Sequence, residues 1–128
     1  MINQEMEKHD KKILVVDDEP DILKVVTFRV KKLEYEVVTA TNGQEALDLI
    51  QKEEPDLILL DIELPVMNGY EVCQRVKTNE KLKHIPIIFL TASSASKIAE
   101  KVKEFNADDY LIKPFDSEEL LKKIKNFI

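Results

Sequence analysis

Short runs of apolar residues alternate with longer stretches whose apolar residues recur at helical spacing, and this alternation limits the fold more than any other feature. Residues 13–16 and 57–60 are uninterrupted apolar runs, as in strands buried on both faces of a parallel sheet. Residues 20–31, by contrast, carry apolar side chains every three or four positions. Five such strand–helix units predict an α/β domain, with a parallel sheet covered by helices on both faces.

The expected strands are residues 13–16, 36–40, 57–60 with its end at Asp61, 86–90 with its end at Thr91, and 109–112. The second strand ends in Ala40-Thr41, which offers no charged side chain, so we expect this strand at an edge of the sheet, away from the site. Residues 93–96 are expected to cap the fourth helix, and Asp116 or Ser117 the fifth. Residues 12–128 are expected to form one domain after a short polar tail, residues 1–11.

The composition excludes several classes of protein. The 128-residue chain has a formal net charge of −6, whereas dedicated nucleic-acid binders neutralise phosphates with Lys and Arg. Cys73 is the single cysteine, so no internal disulfide is possible and the cytoplasm is the expected compartment. No apolar run approaches the roughly 20 residues that span a bilayer, so no membrane association is expected.

Polar residues that can do chemistry follow four of the five predicted strands. In an open α/β sheet, ligands bind outside the carboxyl ends of the strands, so these residues are expected at one rim. They are Asp17 and Asp18 after the first strand, Asp61 after the third, Thr91 after the fourth and Lys113 after the fifth.

Three carboxylates in one pocket repel each other unless a cation compensates them. Oxygen ligands without nearby His or Cys favour Mg²⁺, with Mn²⁺ as the other choice. Lys113 and Thr91 supply a cation and a hydroxyl for the oxygens of a transferring phosphoryl group. Asp61, which follows a central strand between the acid pair and Thr91, is the best candidate for the nucleophile.

Four segments carry a resemblance to a known family. They read Ile-Leu-Val-Val-Asp-Asp-Glu-Pro (13–20), Asp-Leu-Ile-Leu-Leu-Asp-Ile-Glu-Leu-Pro-Val-Met-Asn-Gly-Tyr-Glu (56–71), Pro-Ile-Ile-Phe-Leu-Thr-Ala (86–92) and Ala-Asp-Asp-Tyr-Leu-Ile-Lys-Pro-Phe (107–115). The chain resembles the receiver domain of two-component response regulators, of the single-domain chemotaxis-regulator type. The resemblance implies a flavodoxin-like, doubly wound sheet of five parallel strands in the order 2-1-3-4-5, with five helices, over residues 12–128.

The resemblance also implies roles for individual residues. Asp61 accepts a phosphoryl group from a histidine kinase or a phosphotransfer protein. Asp18, Asp61 and the backbone carbonyl of Glu63 bind Mg²⁺, and Asp17 assists through water. Lys113 and Thr91 contact the phosphoryl group, and Tyr110 is an aromatic switch that turns inward as Thr91 moves.

Such a domain accepts a phosphoryl group but does not turn over an external substrate. Its output is expected to be a separate downstream protein, unless the chain is a fragment of a longer one. The sequence leaves that point open, and also whether the domain is a monomer or a phosphorylation-dependent dimer. One departure from the family is Asn106, where Gly is usual; Asn tolerates the left-handed conformation, so the turn should survive. Glu63 and Ser93 occupy variable positions that influence phosphoryl lifetime in the family.

Simpler interpretations exist for single residues. Asp17 and Asp18 are also favourable near a helix N-terminus, and Tyr110 is also typical of a half-buried strand position. Lysines in the last helix complement the helix dipole and do not indicate a nucleic-acid site; they are Lys122, Lys123 and Lys125.

Three rival functions remain open at this point. A Mg²⁺-dependent aspartyl-phosphate phosphatase would need an Asp-x-Asp signature, whereas Glu63 stands at the second position, and it would turn over external phosphate esters. A flavodoxin-like FMN binder would need a phosphate-binding loop in place of Asp17-Asp18-Glu19, and it would be yellow. A degenerate receiver, acting only as a binding module, would not bind Mg²⁺.

Overall fold

Strands and helices alternate along the chain. The structure is a computed structural model that describes residues 11–128. The strands are β1 (Lys12–Val16), β2 (Glu36–Ala40), β3 (Leu57–Asp61), β4 (Ile87–Thr91) and β5 (Asp109–Ile112). The helices are α1 (Pro20–Lys31), α2 (Gly43–Glu53), α3 (Gly69–Lys77), α4 (Ala95–Phe105) and α5 (Ser117–Phe127). The expected tail, residues 1–11, lies outside the described residues except for Lys11.

The strands form one parallel sheet in the order β2-β1-β3-β4-β5, which confirms the expected order and places β2 at an edge. The central strand β3 pairs with β1 on one side and with β4 on the other. All five residues of β3 and of β4 are buried, as their uninterrupted apolar runs predict.

The helices cover both faces of the sheet. Alternate strand residues such as Leu14 and Ile58 pack with α2, α3 and α4 on one face. Their sequence neighbours, such as Ile13 and Leu57, pack with α1 and α5 on the other face. Burial of an aliphatic side chain contributes about 1.5–3 kcal/mol, so both layers hold the sheet in place beneath the site.

Two strands end on the polar residue that follows their apolar run, as expected. Asp61 ends β3 and is paired with Leu90, and Thr91 ends β4 and is paired with Ile112. The sheet therefore fixes the backbone of both polar residues, which positions their side chains at its carboxyl rim.

The helix ends agree with the sequence in most cases. The side chain of Asp116 accepts a hydrogen bond from Glu119 N, so Asp116 caps α5. Asn106 ends α4 with φ 59°, the left-handed conformation for which Asn is suited. Ser94 occupies the N-cap of α4 but makes no capping bond with its side chain; its Oγ lies 3.4 Å from Ser96 Oγ instead.

Candidate functional site

Asp61 lies at the carboxyl end of the central strand, and its residue is only 4% exposed. Its Oδ1 accepts a hydrogen bond from Glu63 N at 3.2 Å, and its Oδ2 lies 3.5 Å from Lys113 Nζ. These contacts hold the carboxylate at a fixed place while leaving it beside a cation.

Asp17 and Lys113 form the shortest ion pair of the rim. Lys113 Nζ lies 2.8 Å from Asp17 Oδ2, and Asp17 Oδ1 accepts from Glu19 N at 2.9 Å. Asp17 is fully buried, so its charge is held by these two partners rather than by bulk water. Lys113 also lies 3.7 Å from Glu19, so this lysine contacts acids that follow both β1 and β3.

Among the described residues, 11–128, the carboxyl rim of the sheet has more negative than positive side chains. The carboxylate oxygens of Asp17, Asp18 and Glu19 lie within 4.8 Å of one another, and Lys113 joins Asp61 to this group. Burial and the charge of Asp17 raise the pKa of Asp61 to about 6, against the lowering effect of Lys113. A cluster of oxygen ligands that lacks positive charge has the chemistry expected of a site for a hard divalent cation.

Lys113 remains a cation in this environment. Burial is the largest single influence on its pKa and lowers it. The hydrogen bond to Asp17, together with the charges of Asp61, Asp17 and Glu19, outweighs burial and raises the pKa overall. Lys113 N also donates to Thr91 O at 2.7 Å, and the Lys113–Pro114 peptide bond is cis.

Thr91 completes the set at the end of β4, where it is 5% exposed. Its Oγ1 accepts a hydrogen bond from Ser93 N at 3.0 Å, which fixes the side chain at the start of the β4–α4 loop. A cleft of about 660 Å³ opens above these residues. Five of the predicted site residues line this cleft: Asp18, Asp61, Glu63, Thr91 and Lys113.

A family model for the response regulator receiver domain matches residues 13–125. The chain belongs to the response regulator receiver domain family. The probable transcriptional regulator ycf27 of Cyanophora paradoxa is 44% identical to this receiver over 125 residues, 96% of the chain and 50% of that protein. The ycf27 protein of Porphyra purpurea is 42% identical over the same length. The receiver thus spans about half the length of the curated relatives it matches.

Solved structures agree with the family. Chemotaxis protein CheY4 of Vibrio cholerae has a TM-score of 0.86 and 36% identity, covering 92% of this chain and 98% of that one. The receiver domain of a sensor histidine kinase from Pseudomonas aeruginosa has a TM-score of 0.84 and 31% identity, covering 91% and 96%. A magnesium ion is coordinated in the active site cleft of that receiver domain.

Tyr110, the expected switch of this receiver, lies away from the cleft lining. It sits on β5 beside Phe89, half-buried against the core layer that α2, α3 and α4 cover. Lys123 Nζ lies 5.5 Å from the centre of its ring, and the same nitrogen is 2.8 Å from Asp109 Oδ1. These contacts fix the present position of Tyr110 at the edge of the sheet.

Two residues near the site of the receiver were missed by sequence reasoning. Glu19 joins the acidic group, and its position directly after Asp17-Asp18 was the signal that could have found it. Tyr70 lines the cleft, although it follows β3 by nine positions and no local pattern marks it. Within residues 11–128, no helix combines the length and the apolar character needed to cross a membrane.

Proposed function

We propose that Asp61 of this receiver, which we take to span residues 12–128, accepts a phosphoryl group and thereby switches a protein-binding surface. The observation that carries the proposal is the buried carboxylate of Asp61, held 3.5 Å from Lys113 Nζ on the floor of an open cleft. Other carboxylates of the rim fit the role less well. Asp17 is already paired with Lys113 at 2.8 Å, and Asp18 is exposed.

Mg²⁺ is the cation that suits this rim, and Mn²⁺ is its closest substitute. The residues fit because their donors are oxygens and because the single lysine cannot balance the buried pair Asp17 and Asp61 along with Asp18. Asp18, Asp61 and the Glu63 carbonyl would hold the ion, with Asp17 assisting through water. When bound, the ion supplies positive charge for the phosphoryl oxygens.

The transfer is a displacement at phosphorus. A carboxylate oxygen of Asp61 attacks the phosphorus of a phosphohistidine, the P–N bond breaks, and its electron pair returns to the imidazole of the donor. Lys113 offers its ammonium and Thr91 its hydroxyl to the phosphoryl oxygens, which carry the charge of the transition state. The product is an aspartyl phosphate on this chain, so no external substrate is turned over.

The output is a change of shape around Thr91. A phosphoryl group on Asp61 adds charge and acceptor oxygens beside Thr91 and Lys113. Thr91 moves toward it, Tyr110 turns inward from its place beside Lys123, and the surface of α4, β5 and α5 changes. A downstream protein that binds one arrangement better reads the signal.

The phosphodonor protein approaches along α1. An apolar groove of about 510 Å³ runs beside the cleft, and the two share Glu19, Ala92 and Lys113 along their common edge. Val25 lines this groove and is 46% exposed. A protein that delivers a histidine side chain into the cleft must cover that edge, so the groove gives a histidine kinase or phosphotransfer protein its apolar contact. Cys73 is buried and in no disulfide, which is usual for a protein of the cytoplasm, where we place this chain and its partner.

Intact mass spectrometry tests the proposal directly. The purified chain is incubated with acetyl phosphate, with Mg²⁺ or with EDTA, beside Asp61→Asn and the control Asp56→Asn, which changes an aspartate at the other end of β3. One Mg²⁺-dependent phosphoryl adduct is expected on the parent and on Asp56→Asn, and none on Asp61→Asn. An adduct on Asp61→Asn would refute the acceptor.

Three further observations separate the rival functions. Continued release of phosphate from added phosphate esters would indicate the phosphatase, and yellow colour on purification would indicate the FMN binder. A parent that takes up neither Mg²⁺ nor a phosphoryl group would be a degenerate receiver that acts only as a binding module.

A further inference from the structure

Tyr70 separates two depressions on the surface of the receiver. One is the cleft above Asp61, and the other is a groove of about 570 Å³ that Asn68, Tyr70 and Phe105 line together with residues of α3. Asn68 and Tyr70 border both depressions. Tyr70 thus lies between the cleft and an open surface groove and forms a partition between them.

The partition is held from several sides. Tyr70 stacks on Phe105 of α4, with ring centres 4.8 Å apart and planes at 12°. It also meets Phe89 of β4 edge-on at 5.5 Å and 87°, and Lys101 Nζ lies 5.6 Å from its ring centre. Aromatic pairs of this geometry contribute about 0.5–1.5 kcal/mol each beyond their burial, so the ring has little freedom to leave.

The start of α3 fixes the partition relative to the acceptor. A Cβ on Gly69 would collide with the carbonyl oxygen of Asp61 and would lie 2.8 Å from the Cα of Ile62. Gly69 N donates to Ile62 O at 2.8 Å. The first turn of α3 therefore packs directly on the end of β3, which keeps Tyr70 beside the cleft.

The chemistry that such a partition affects is hydrolysis. An aspartyl phosphate is lost when a water oxygen attacks phosphorus and the P–O bond to Asp61 breaks, so that its electron pair restores the carboxylate. Inorganic phosphate leaves with the oxygen and one proton of the water, and the other proton passes to solvent. The attack is in line with the breaking bond, so the water must stand on the open side of the phosphoryl group. Side chains that wall the cleft restrict the positions open to that water.

We propose that Tyr70 is a positioning residue whose ring shields the phosphoryl group on Asp61 from water and so lengthens the lifetime of the aspartyl phosphate. The inference rests on the proposed function and deepens it, since it names a residue that regulates the same site. The ring, and not the hydroxyl, forms the partition, because the ring makes the contacts with Phe105 and Phe89. Burial raises the pKa of the Tyr70 hydroxyl, which stays protonated and neutral.

The test measures the loss of the phosphoryl group after the donor has been removed. Parent, Tyr70→Ala, Tyr70→Phe and Phe105→Leu are phosphorylated with acetyl phosphate and Mg²⁺, desalted into Mg²⁺ buffer and followed by intact mass. Tyr35→Ala is the matched control, because Tyr35 is a half-buried tyrosine that packs on the other core layer. Tyr70→Ala is expected to lose the group about 3- to 10-fold faster than the parent, as water gains access.

Tyr70→Phe and Tyr35→Ala are expected to keep the parent rate, and Phe105→Leu to fall between the parent and Tyr70→Ala. Phe105→Leu leaves every side chain of the cleft in place, so it tests the partition even where Tyr70→Ala does not fold. A parent rate in both Tyr70→Ala and Phe105→Leu overturns the inference, as does a Tyr70→Phe rate as fast as that of Tyr70→Ala. A parent that takes up no phosphoryl group overturns the proposed function and the inference together.

Discussion

The two ends of the sheet each hold a lysine–aspartate pair, but the pairs differ in burial and in their balance of charge, since Asp108 is partly exposed whereas Asp17 is fully buried. At the amino end, Lys77 meets Asp108 at 2.8 Å. At the carboxyl end, Lys113 lies within 4 Å of Asp17, Glu19 and Asp61. One acid per lysine gives a structural contact, whereas several acids per lysine leave a site that needs more positive charge.

The amino-end pair ties backbone together. Lys77 Nζ donates to the carbonyl oxygens of Ile85 at 2.8 Å and Lys83 at 3.3 Å as well as to Asp108. Asp108 Oδ2 accepts from Ile87 N at 2.8 Å. Every donor of the ammonium thus has an acceptor, and the end of α3 is joined to the starts of β4 and β5.

The backbone shows the same contrast. Glu34, Glu54 and Asn106 adopt the left-handed conformation at or just after the ends of α1, α2 and α4, where such a residue is an ordinary way to end a helix. Val66, in the loop that follows β3, has φ 71° although its side chain is β-branched and 81% exposed. The carboxyl end therefore carries strain as well as unbalanced charge, as functional sites often do.

The largest effect on stability is expected at the amino end. Lys77→Met removes a largely buried ammonium and leaves two carbonyl oxygens and the partly exposed Asp108 without their donor, which should lower the free energy of unfolding by about 2–3 kcal/mol. Urea unfolding followed by circular dichroism measures it. Lys83→Met is the control, because its ion pair with Glu80 is exposed on both sides, and a change within about 0.5 kcal/mol is expected. Equal losses of stability in Lys77→Met and Lys83→Met would contradict a structural role for the Lys77–Asp108 pair.

A matched pair of Asp→Asn substitutions should have opposite signs. In buffer with EDTA at pH 7, Asp61→Asn should raise the free energy of unfolding by about 1–2 kcal/mol, because it removes a buried charge that shares Lys113 with Asp17 and is only partly compensated. Asp108→Asn should lower the free energy of unfolding. The same urea unfolding measurement compares them. A lower stability of Asp61→Asn would show that the carboxyl rim is balanced without a metal.

The gain from Asp61→Asn should depend on pH. Burial raises the pKa of Asp61 from 3.8 to about 6, so the unfolded chain ionises this group first. As pH rises from 3.8 to about 6, ionisation of Asp61 lowers the free energy of unfolding progressively, and above about pH 6 the full loss is present. The advantage of Asp61→Asn over the parent should therefore shrink as pH falls from 7 toward 4. An advantage that does not change over this range would contradict the cause given for it.

Addition of Mg²⁺ should stabilise the parent through the carboxyl end alone. A ligand that binds only the folded state, present at a concentration roughly ten times its Kd, raises the free energy of unfolding by about 1.4 kcal/mol. Asp18→Asn should lose most of this gain, whereas Glu36→Gln, an exposed acid at the start of β2, should keep it. Thermal unfolding midpoints with and without Mg²⁺ measure the gain, and equal gains in both variants would contradict the assigned ligands.

The smallest effect is expected from the strained loop. Val66→Gly removes the clash of a β-branched side chain in the left-handed conformation but adds freedom to the unfolded chain, so a net gain of about 0.5–1 kcal/mol is expected. Val25→Gly, at another exposed valine but inside α1, should instead destabilise. A loss of stability in Val66→Gly would show that the side chain makes a contact worth more than the strain.

The sequence predicted the sheet and its rim because these follow from short-range patterns. Uninterrupted apolar runs identify the buried strands, and the first polar residue after each run has to lie at the carboxyl end. Strand order came from family resemblance, since apolar periodicity does not say which strand pairs with which. Asp61, Thr91 and Lys113 come together in the structure as that reasoning requires.

Other features depend on contacts between distant residues. The place of Tyr70 beside the cleft depends on stacking with Phe105, thirty-five positions away, and on the close approach of Gly69 to Asp61. The strain at Val66 comes from the loop around it, and Ser94 pairs with Ser96 instead of capping α4. No local pattern of residue types encodes such geometry.

The most direct test of the account identifies which carboxylate of the crowded rim carries the phosphoryl group. The acetyl phosphate-treated receiver is reduced with borohydride, which converts an aspartyl phosphate to homoserine, then digested and sequenced by tandem mass spectrometry. Conversion at Asp61 alone, dependent on Mg²⁺ during phosphorylation, is the predicted result. Conversion at Asp17 or Asp18 with Asp61 intact would contradict the central claim.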